Sequence, residues 1–298
     1  MTDWDDKYDL LSATRPLYHN ADYWRFLVRD VWRIDDRPRS LVDFGCGYGW
    51  AGLFLMPMLA RGSDYTGLDR SGPLLGKGRA LFARRPPCEA RFVLGDATST
   101  PFSGDQFDVA FAHALLMHLP DARGALAEMI RVTRDGGLVV ACDASHNAIN
   151  ALLHVHETQE QEHMPLSLFQ AMNADVRQRT GVDHNIGMKT AVLMHQVGLR
   201  DVEARLSDAV RLSFPPLDTP AKERLFTAIC DDGLGVTPTD EPGFERAVAS
   251  LMARGASKEA AAAELRREID NDYRRRGRDY HIVQPGLITI SFGTVSKS

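Results

Sequence analysis

The run Arg-Ser-Leu-Val-Asp-Phe-Gly-Cys-Gly-Tyr-Gly-Trp-Ala-Gly, residues 39 to 52, limits what this chain can fold into more than any other segment. A short apolar stretch reaches Asp43 and gives way to glycine at alternate positions, Gly45, Gly47 and Gly49. Such a run predicts a strand entering a tight loop and then a helix. Glycine has no Cβ, so it takes positive φ and lets backbone N–H groups approach a ligand closely. The loop suits a nucleoside-type ligand. A dinucleotide fingerprint needs a third glycine three residues after the second, where helix and strand pack closely, and that position is Trp50. Pyrophosphate binding is therefore disfavoured.

Four further segments follow in an order that narrows the reading. Ser-Asp-Tyr-Thr-Gly-Leu-Asp, residues 63 to 69, reads as a second strand ending on Asp69, the usual place for a carboxylate that accepts ribose hydroxyls. Residues 91 to 97 form a third strand ending at Asp96 and Ala97, and residues 107 to 113 a fourth ending at His113. A helix begins after His118-Leu-Pro-Asp121, and a Gly136-Gly137 turn opens a fifth strand that ends near Asp143. This succession, with Asp-x-Gly-x-Gly-x-Gly at its head, resembles the class I S-adenosylmethionine-dependent methyltransferases over roughly residues 40 to 145. The resemblance implies a doubly wound, Rossmann-like, mostly parallel sheet of seven strands, with helical insertions forming a cap. It implies S-adenosyl-L-methionine as cofactor, held by Asp43, Gly45, Cys46, Gly47, Gly49, Asp69, Arg70, Asp96, Ala97 and His113. Asp96 is expected beside the adenine.

Composition supports an ordinary globular chain. Of 298 residues, 44% are hydrophobic and 25% charged, and the formal net charge is -5. That balance gives no general attraction for a phosphate backbone, so no nucleic-acid partner is expected. The segment after the fourth strand reads Ala-His-Ala-Leu and lacks the Asn-Pro-Pro-Tyr type of sequence with which the amino-methylating enzymes of nucleic acids hold a planar nitrogen. No apolar run approaches the roughly 20 residues of a membrane helix. The acidic start has no signal-peptide character, and Cys46, Cys88, Cys142 and Cys230 form no Cys-x-x-Cys pair. A cytoplasmic protein without a membrane partner is expected, and a homodimer is allowed.

Five units are expected along the chain: a helical segment over the cofactor (1–36), the binding core (37–145), a helical insertion (146–184), completion of the sheet (185–215 and 281–298), and a second helical insertion serving as a lid (216–280). Residues 201 to 213 read as one sixth strand and 286 to 295 as the last. In the N-terminal segment, Arg15 and Tyr18 are placed to reach the methionine carboxylate, although its aromatics also suit plain coverage of the sheet.

Methyl transfer asks a protein to align a nucleophile, exclude water and, for some acceptors, remove a proton. The candidate bases are His113, His118 and His146, whose ordinary pKa range suits proton transfer. The resemblance also implies an apolar-packed, structural His at position 118. His156, Glu160 and His163 share a helix face at i, i+4 and i+7, yet an exposed polar stripe is the expectation and no metal is assigned. The acids Glu157, Glu160 and Glu162 suit either solvent or a cationic acceptor. The basic cluster Arg274, Arg275, Arg276 and Arg278 suits a solvated helix end or an acidic substrate group. The expected activity is in-line O-, N- or C-methylation of a small-molecule acceptor. The alternative is a protein that binds the cofactor without methyl transfer.

Overall fold

Apolar runs such as Leu41-Val42 and Val109-Ala110-Phe111 become strands with essentially no exposed surface, as parallel strands covered on both faces must be. The computed structural model describes residues 4–84, 88–156, 166–233, 240–275 and 278–297. Its strands are β1 (Ser40–Phe44), β2 (Asp64–Asp69), β3 (Glu89–Leu94), β4 (Phe107–His113), β5 (Thr133–Ala144), β6 (His154–His156), β7 (Arg200–Leu206), β8 (Val210–Ser213), β9 (His281–Pro285) and β10 (Ile288–Thr294). Its helices are α1 (Tyr8–Thr14), α2 (Ala21–Phe26), α3 (Trp50–Leu55), α4 (Gly72–Arg84), α5 (Ala122–Val132), α6 (His146–Ala151), α7 (Leu166–Thr180), α8 (Gly187–Gln196), α9 (Pro220–Gly233), α10 (Glu241–Met252) and α11 (Lys258–Arg275). Short turns of helix cover Arg15–Tyr18, Leu27–Val31 and Leu116–His118.

Seven strands make one sheet in the order β3-β2-β1-β4-β5-β10-β7, and only β10 runs against its neighbours. This is the doubly wound sheet expected from the sequence. The order reverses between β1 and β4, and the carboxyl ends of strands beside such a switch point frame a crevice. Asp43, Asp69 and His113 all sit at those ends.

The N-terminal segment is tied down by Trp24, which has no exposed surface and meets the rings of Trp32, Phe54 and Phe111 at centroid distances of 5.6, 5.7 and 6.1 Å. Burying an aromatic of this kind contributes about 1.5–3 kcal/mol. α5 shows how a local signal sets an element: Ala122, Ala125, Leu126, Met129 and Val132 recur at helical spacing and are buried, and the Asp121 carboxylate accepts the Gly124 N–H at 2.8 Å as N-cap. Asp121→Ala should cost about 1 kcal/mol by denaturant unfolding. An unchanged midpoint would show that the cap contributes nothing.

The structure corrects four readings. The single sixth strand breaks after Leu206. There the Ser207 hydroxyl accepts the Ile288 N–H and the chain leaves the large sheet, so Val210–Ser213 pairs with β9 instead. Residues 281–285, read with the completion of the sheet, are that β9, and the insertion read as helical contributes β6. Together β6, β9 and β8 form a small antiparallel sheet. The Gly136-Gly137 turn lies inside β5 as a bulge, because Phe107 pairs with Thr133 while Val109 pairs with Leu138. Helices α7, α10 and α11 bury a core of their own from Ala171, Ala247, Val248, Leu251, Ala261 and Leu265. Residues 157–165, with Glu157, Glu160, Glu162 and His163, lie outside the described residues, as does Arg276.

Candidate active site

The crevice at the switch point opens into a cavity of about 920 Å³, part of it continuous with solvent. Its floor is the loop after β1. Gly45, at φ +66°, holds a conformation that L side chains rarely adopt, and a Cβ there would come within 2.6 Å of Leu115 Cδ1, so a substitution would be strained and would displace that leucine. Gly49, at φ +82°, caps α3 and packs against Phe82 and Phe92 away from the cavity. Gly47 differs: a Cβ on it would meet only ordinary contacts, at 3.7 Å from Leu11 and 3.9 Å from Leu74. Its backbone N–H donates to Asp69 Oδ2 at 2.7 Å, and the Ser71 N–H donates to Asp69 Oδ1 at 2.8 Å. The second strand's carboxylate is thereby fixed at the cavity wall. Asp96 accepts the Thr98 N–H and hydroxyl through Oδ1, contacts that hold its pKa below the usual carboxylate range.

Arg15, Asp43, Gly45, Cys46, Gly47, Asp69, Arg70, Asp96, Ala97, His113 and His118 all line this cavity. Asp43 is buried and accepts the Tyr65 hydroxyl at 2.7 Å; burial lifts its pKa to about 7. Two other anticipated residues stand elsewhere. Tyr18 is buried beneath the Arg211 guanidinium, whose carbon is 4.6 Å from the ring centroid. His146 stacks on His184 at 5.5 Å and does not reach the cavity wall. The roof comes from the N-terminal segment, through Trp4, Leu11 and Arg15, and among the described residues none of those lining the cavity belongs to either insertion. Trp4 lies edge-on to His118 at 4.8 Å, and the Ser71 hydroxyl donates to Asp5 at 2.6 Å.

The residue that sequence reasoning missed is His19. An arginine can only donate, so the 2.5 Å contact of Arg15 with His113 makes His113 Nδ1 the acceptor. The His113 proton then sits on Nε2 and is donated to His19 Nε2 at 2.6 Å. His19 in turn carries its proton on Nδ1, which has no hydrogen-bond partner among the described residues. Both rings are neutral. Burial, aided by the Arg15 charge, draws His19 down to about 3 and His113 well below its ordinary value. Burial first, then Arg15, sets His118 at about 3, and burial sets His146 at about 4. In this arrangement His113 has no nitrogen left to take a proton, and His118 is a weak base. The turn carrying His118 is held from below by buried Asp143, which accepts the Met117 N–H at 3.1 Å and is lifted by burial to about 7.

Comparison with known proteins agrees with this geometry. The family profile "Methyltransferase domain" matches residues 42–141. The demethylmenaquinone methyltransferase of Renibacterium salmoninarum is 36% identical over 140 residues, which cover 47% of this chain and 55% of that protein. Residues 42–141 thus match a methyltransferase domain, and the chain is similar to the class I S-adenosylmethionine-dependent methyltransferases. Other relatives are similar: the demethylmenaquinone methyltransferase of Paenarthrobacter aurescens is 31% identical over 143 residues, covering 48% of this chain and 53% of the relative. The chain spans about half the length of these curated relatives. Among solved structures, the YcgJ protein of Bacillus subtilis superimposes with a TM-score of 0.51 at 16% identity, over 93% of this chain and 99% of that one. Such a likeness speaks for the fold. The cofactor of this methyltransferase family is S-adenosylmethionine, and the cavity fits it, with an anchored carboxylate at the β2 end, a side-chain-free loop at Gly47 and a cationic Arg15. Among the described residues no group of three His, Cys, Asp or Glu is placed to hold a metal, and no helix is long and apolar enough to cross a membrane.

Proposed function

We propose that this protein methylates a small-molecule acceptor. The observation that carries the reading is the Asp69 carboxylate clamped by the glycine loop's own N–H in a cavity at the sheet's switch point. Asp69 holds the ribose hydroxyls, Asp96 and Ala97 flank the adenine, and the backbone of Gly45 to Gly47 faces the methionine part, whose carboxylate Arg15 pairs. Bound S-adenosylmethionine supplies an electrophilic methyl group for in-line displacement. Trp4 and the N-terminal helix exclude water, and the insertions, with a core of their own, cap the acceptor side. With His113 engaged on both nitrogens, the protein contributes alignment more than proton removal, so the acceptor enters already deprotonated.

The relatives named for demethylmenaquinone support a low-molecular-weight acceptor, as does the net charge of -5. With methyl-labelled cofactor, label should pass into a small-metabolite extract and not into bulk RNA or DNA. Preferential labelling of polynucleotide would overturn the acceptor class. The same engaged histidines favour a second reading, in which the cofactor is bound without transfer. Release of S-adenosylhomocysteine that depends on the metabolite extract separates the two.

A further inference from the structure

A second cavity, of about 1050 Å³ and partly open to solvent, lies between the first insertion and α8 and shares no lining residue with the cofactor cavity. Five carboxamides from α6, α7 and the loop before α8 line it: Asn147, Gln170, Asn173, Gln178 and Asn185. Three of them form one frame. The Asn173 side-chain amide donates to Asn147 Oδ1 at 3.0 Å, and Asn185 Oδ1 accepts the Asn147 N–H at 2.7 Å and the Ser145 hydroxyl at 3.4 Å. That frame leaves Asn173 Oδ1 and the side-chain nitrogens of Asn147 and Asn185 without a hydrogen-bond partner among the described residues, although Asn173 is only 9% exposed. An amide fixed at one end and open to a cavity at the other keeps both orientation and bonding capacity for what enters.

The chemistry of the walls narrows the ligand. Lys189 Nζ donates to Asp183 Oδ2 at 2.6 Å, and Arg177 Nε lies 3.5 Å from the same oxygen, so an entering anion competes with a carboxylate already in place. No aromatic ring is among the described lining residues, which leaves a nucleobase nothing to stack on. What remains is a set of neutral donors and acceptors on several walls beside the apolar surface of Met188, which is 62% exposed. A sugar matches both. Each hydroxyl donates and accepts, so one ring can bond Asn173 Oδ1 and the neighbouring amide N–H groups while its C–H groups pack on Met188.

The cavity is one ring pair away from the chemistry. His184 stands between Asp183 and Asn185 of this cavity, and its ring is 6.2 Å from that of His118 in the cofactor cavity's wall. We propose that the second cavity holds a sugar or cyclic polyol carried by the methyl acceptor. The inference rests on the methyltransferase reading. The methylated atom belongs to the rest of the acceptor, on the His118 side, and binding of the remote sugar orients it.

The test is a saturation-transfer NMR titration of the S-adenosylhomocysteine-loaded protein with the methyl glycosides of glucose, galactose, mannose, xylose and rhamnose and with myo-inositol. Cytidine and inorganic phosphate, the latter followed by its own phosphorus signal, serve as nucleobase and anion counterparts. At least one sugar or inositol should bind about tenfold more tightly than either counterpart, and it should inhibit transfer of labelled methyl into the small-metabolite extract. Asn173→Leu should weaken that sugar about tenfold and leave S-adenosylhomocysteine affinity within about twofold. Where that variant does not fold, Ala174→Trp, which fills the cavity from an exposed helix position, should give the same loss. Absence of binding across the panel, equal or tighter binding of cytidine or phosphate, or sugar binding unmoved by the variant overturns the site. A sugar that binds without inhibiting transfer overturns its link to the acceptor. Failure of the native protein to bind S-adenosylhomocysteine would instead sink the methyltransferase reading, so the failures are distinguishable.

Discussion

Asp69→Ala should lower S-adenosylhomocysteine affinity about a hundredfold in calorimetric titration. The proposed contact is bidentate and charge-assisted, and hydrogen bonds to charged groups are worth about 1.5–3 kcal/mol each, so a net loss near ~2.8 kcal/mol is the conservative end. Part of the loss has a structural origin. The carboxylate also accepts the Gly47 and Ser71 N–H groups, and removing it frees the loop that we propose faces the methionine part. Asp69→Asn separates the two contributions, because an amide oxygen can still accept one of those N–H groups while the charge is gone. The Asn variant should keep its melting temperature and still bind at least tenfold more weakly. Native affinity in either folded variant would remove Asp69 from the cofactor site.

Asp69 was legible because its signal is local. A strand that stops on an acidic residue, following a glycine loop that follows another strand, is written in consecutive residues, and the same holds for Gly45, Gly47 and Asp96. The β1 to β5 half of the fold is built from such units, and its sheet order follows from them. What lay beyond reach depends on contacts between distant segments. β8 and β9 each alternate like ordinary sheet strands, and only their mutual pairing, Arg211 against Gln284, takes them out of the seven-stranded sheet. Tyr18 had the right chemistry for a carboxylate and the right neighbourhood, but the small sheet brings Arg211 over its ring and withdraws it from the cavity. His19 carried no motif. It became visible once the N-terminal segment was laid across β4, where His113 supplies its partner.

Arg15→Ala should show whether that N-terminal segment is part of the binding machinery or only a cover. If Arg15 pairs the methionine carboxylate, S-adenosylhomocysteine affinity falls about tenfold to a hundredfold. A second consequence concerns the histidines, because the Arg15 charge is among the causes that depress His19, His113 and His118, second to burial. Without it their titrations move upward but stay below 6.5, since the rings remain buried. The sign for stability follows. A histidine whose pKa is lower in the folded state contributes stability that is present above about pH 6.5 and lost as pH falls towards the folded value, which is about 3 for His19 and His118. Each unit by which the variant raises these values returns about 1.4 kcal/mol per histidine at the acid end. Asp43 and Asp143, held near 7 chiefly by burial and also drawn down by Arg15, move in the same direction. Arg15→Ala should therefore bind cofactor weakly and yet lose less stability than the native protein between pH 6.5 and 4, read by calorimetry and by denaturant unfolding across that range. Unchanged cofactor affinity would remove Arg15 from the cofactor site, and an unchanged acid profile would show that burial by itself keeps these rings neutral.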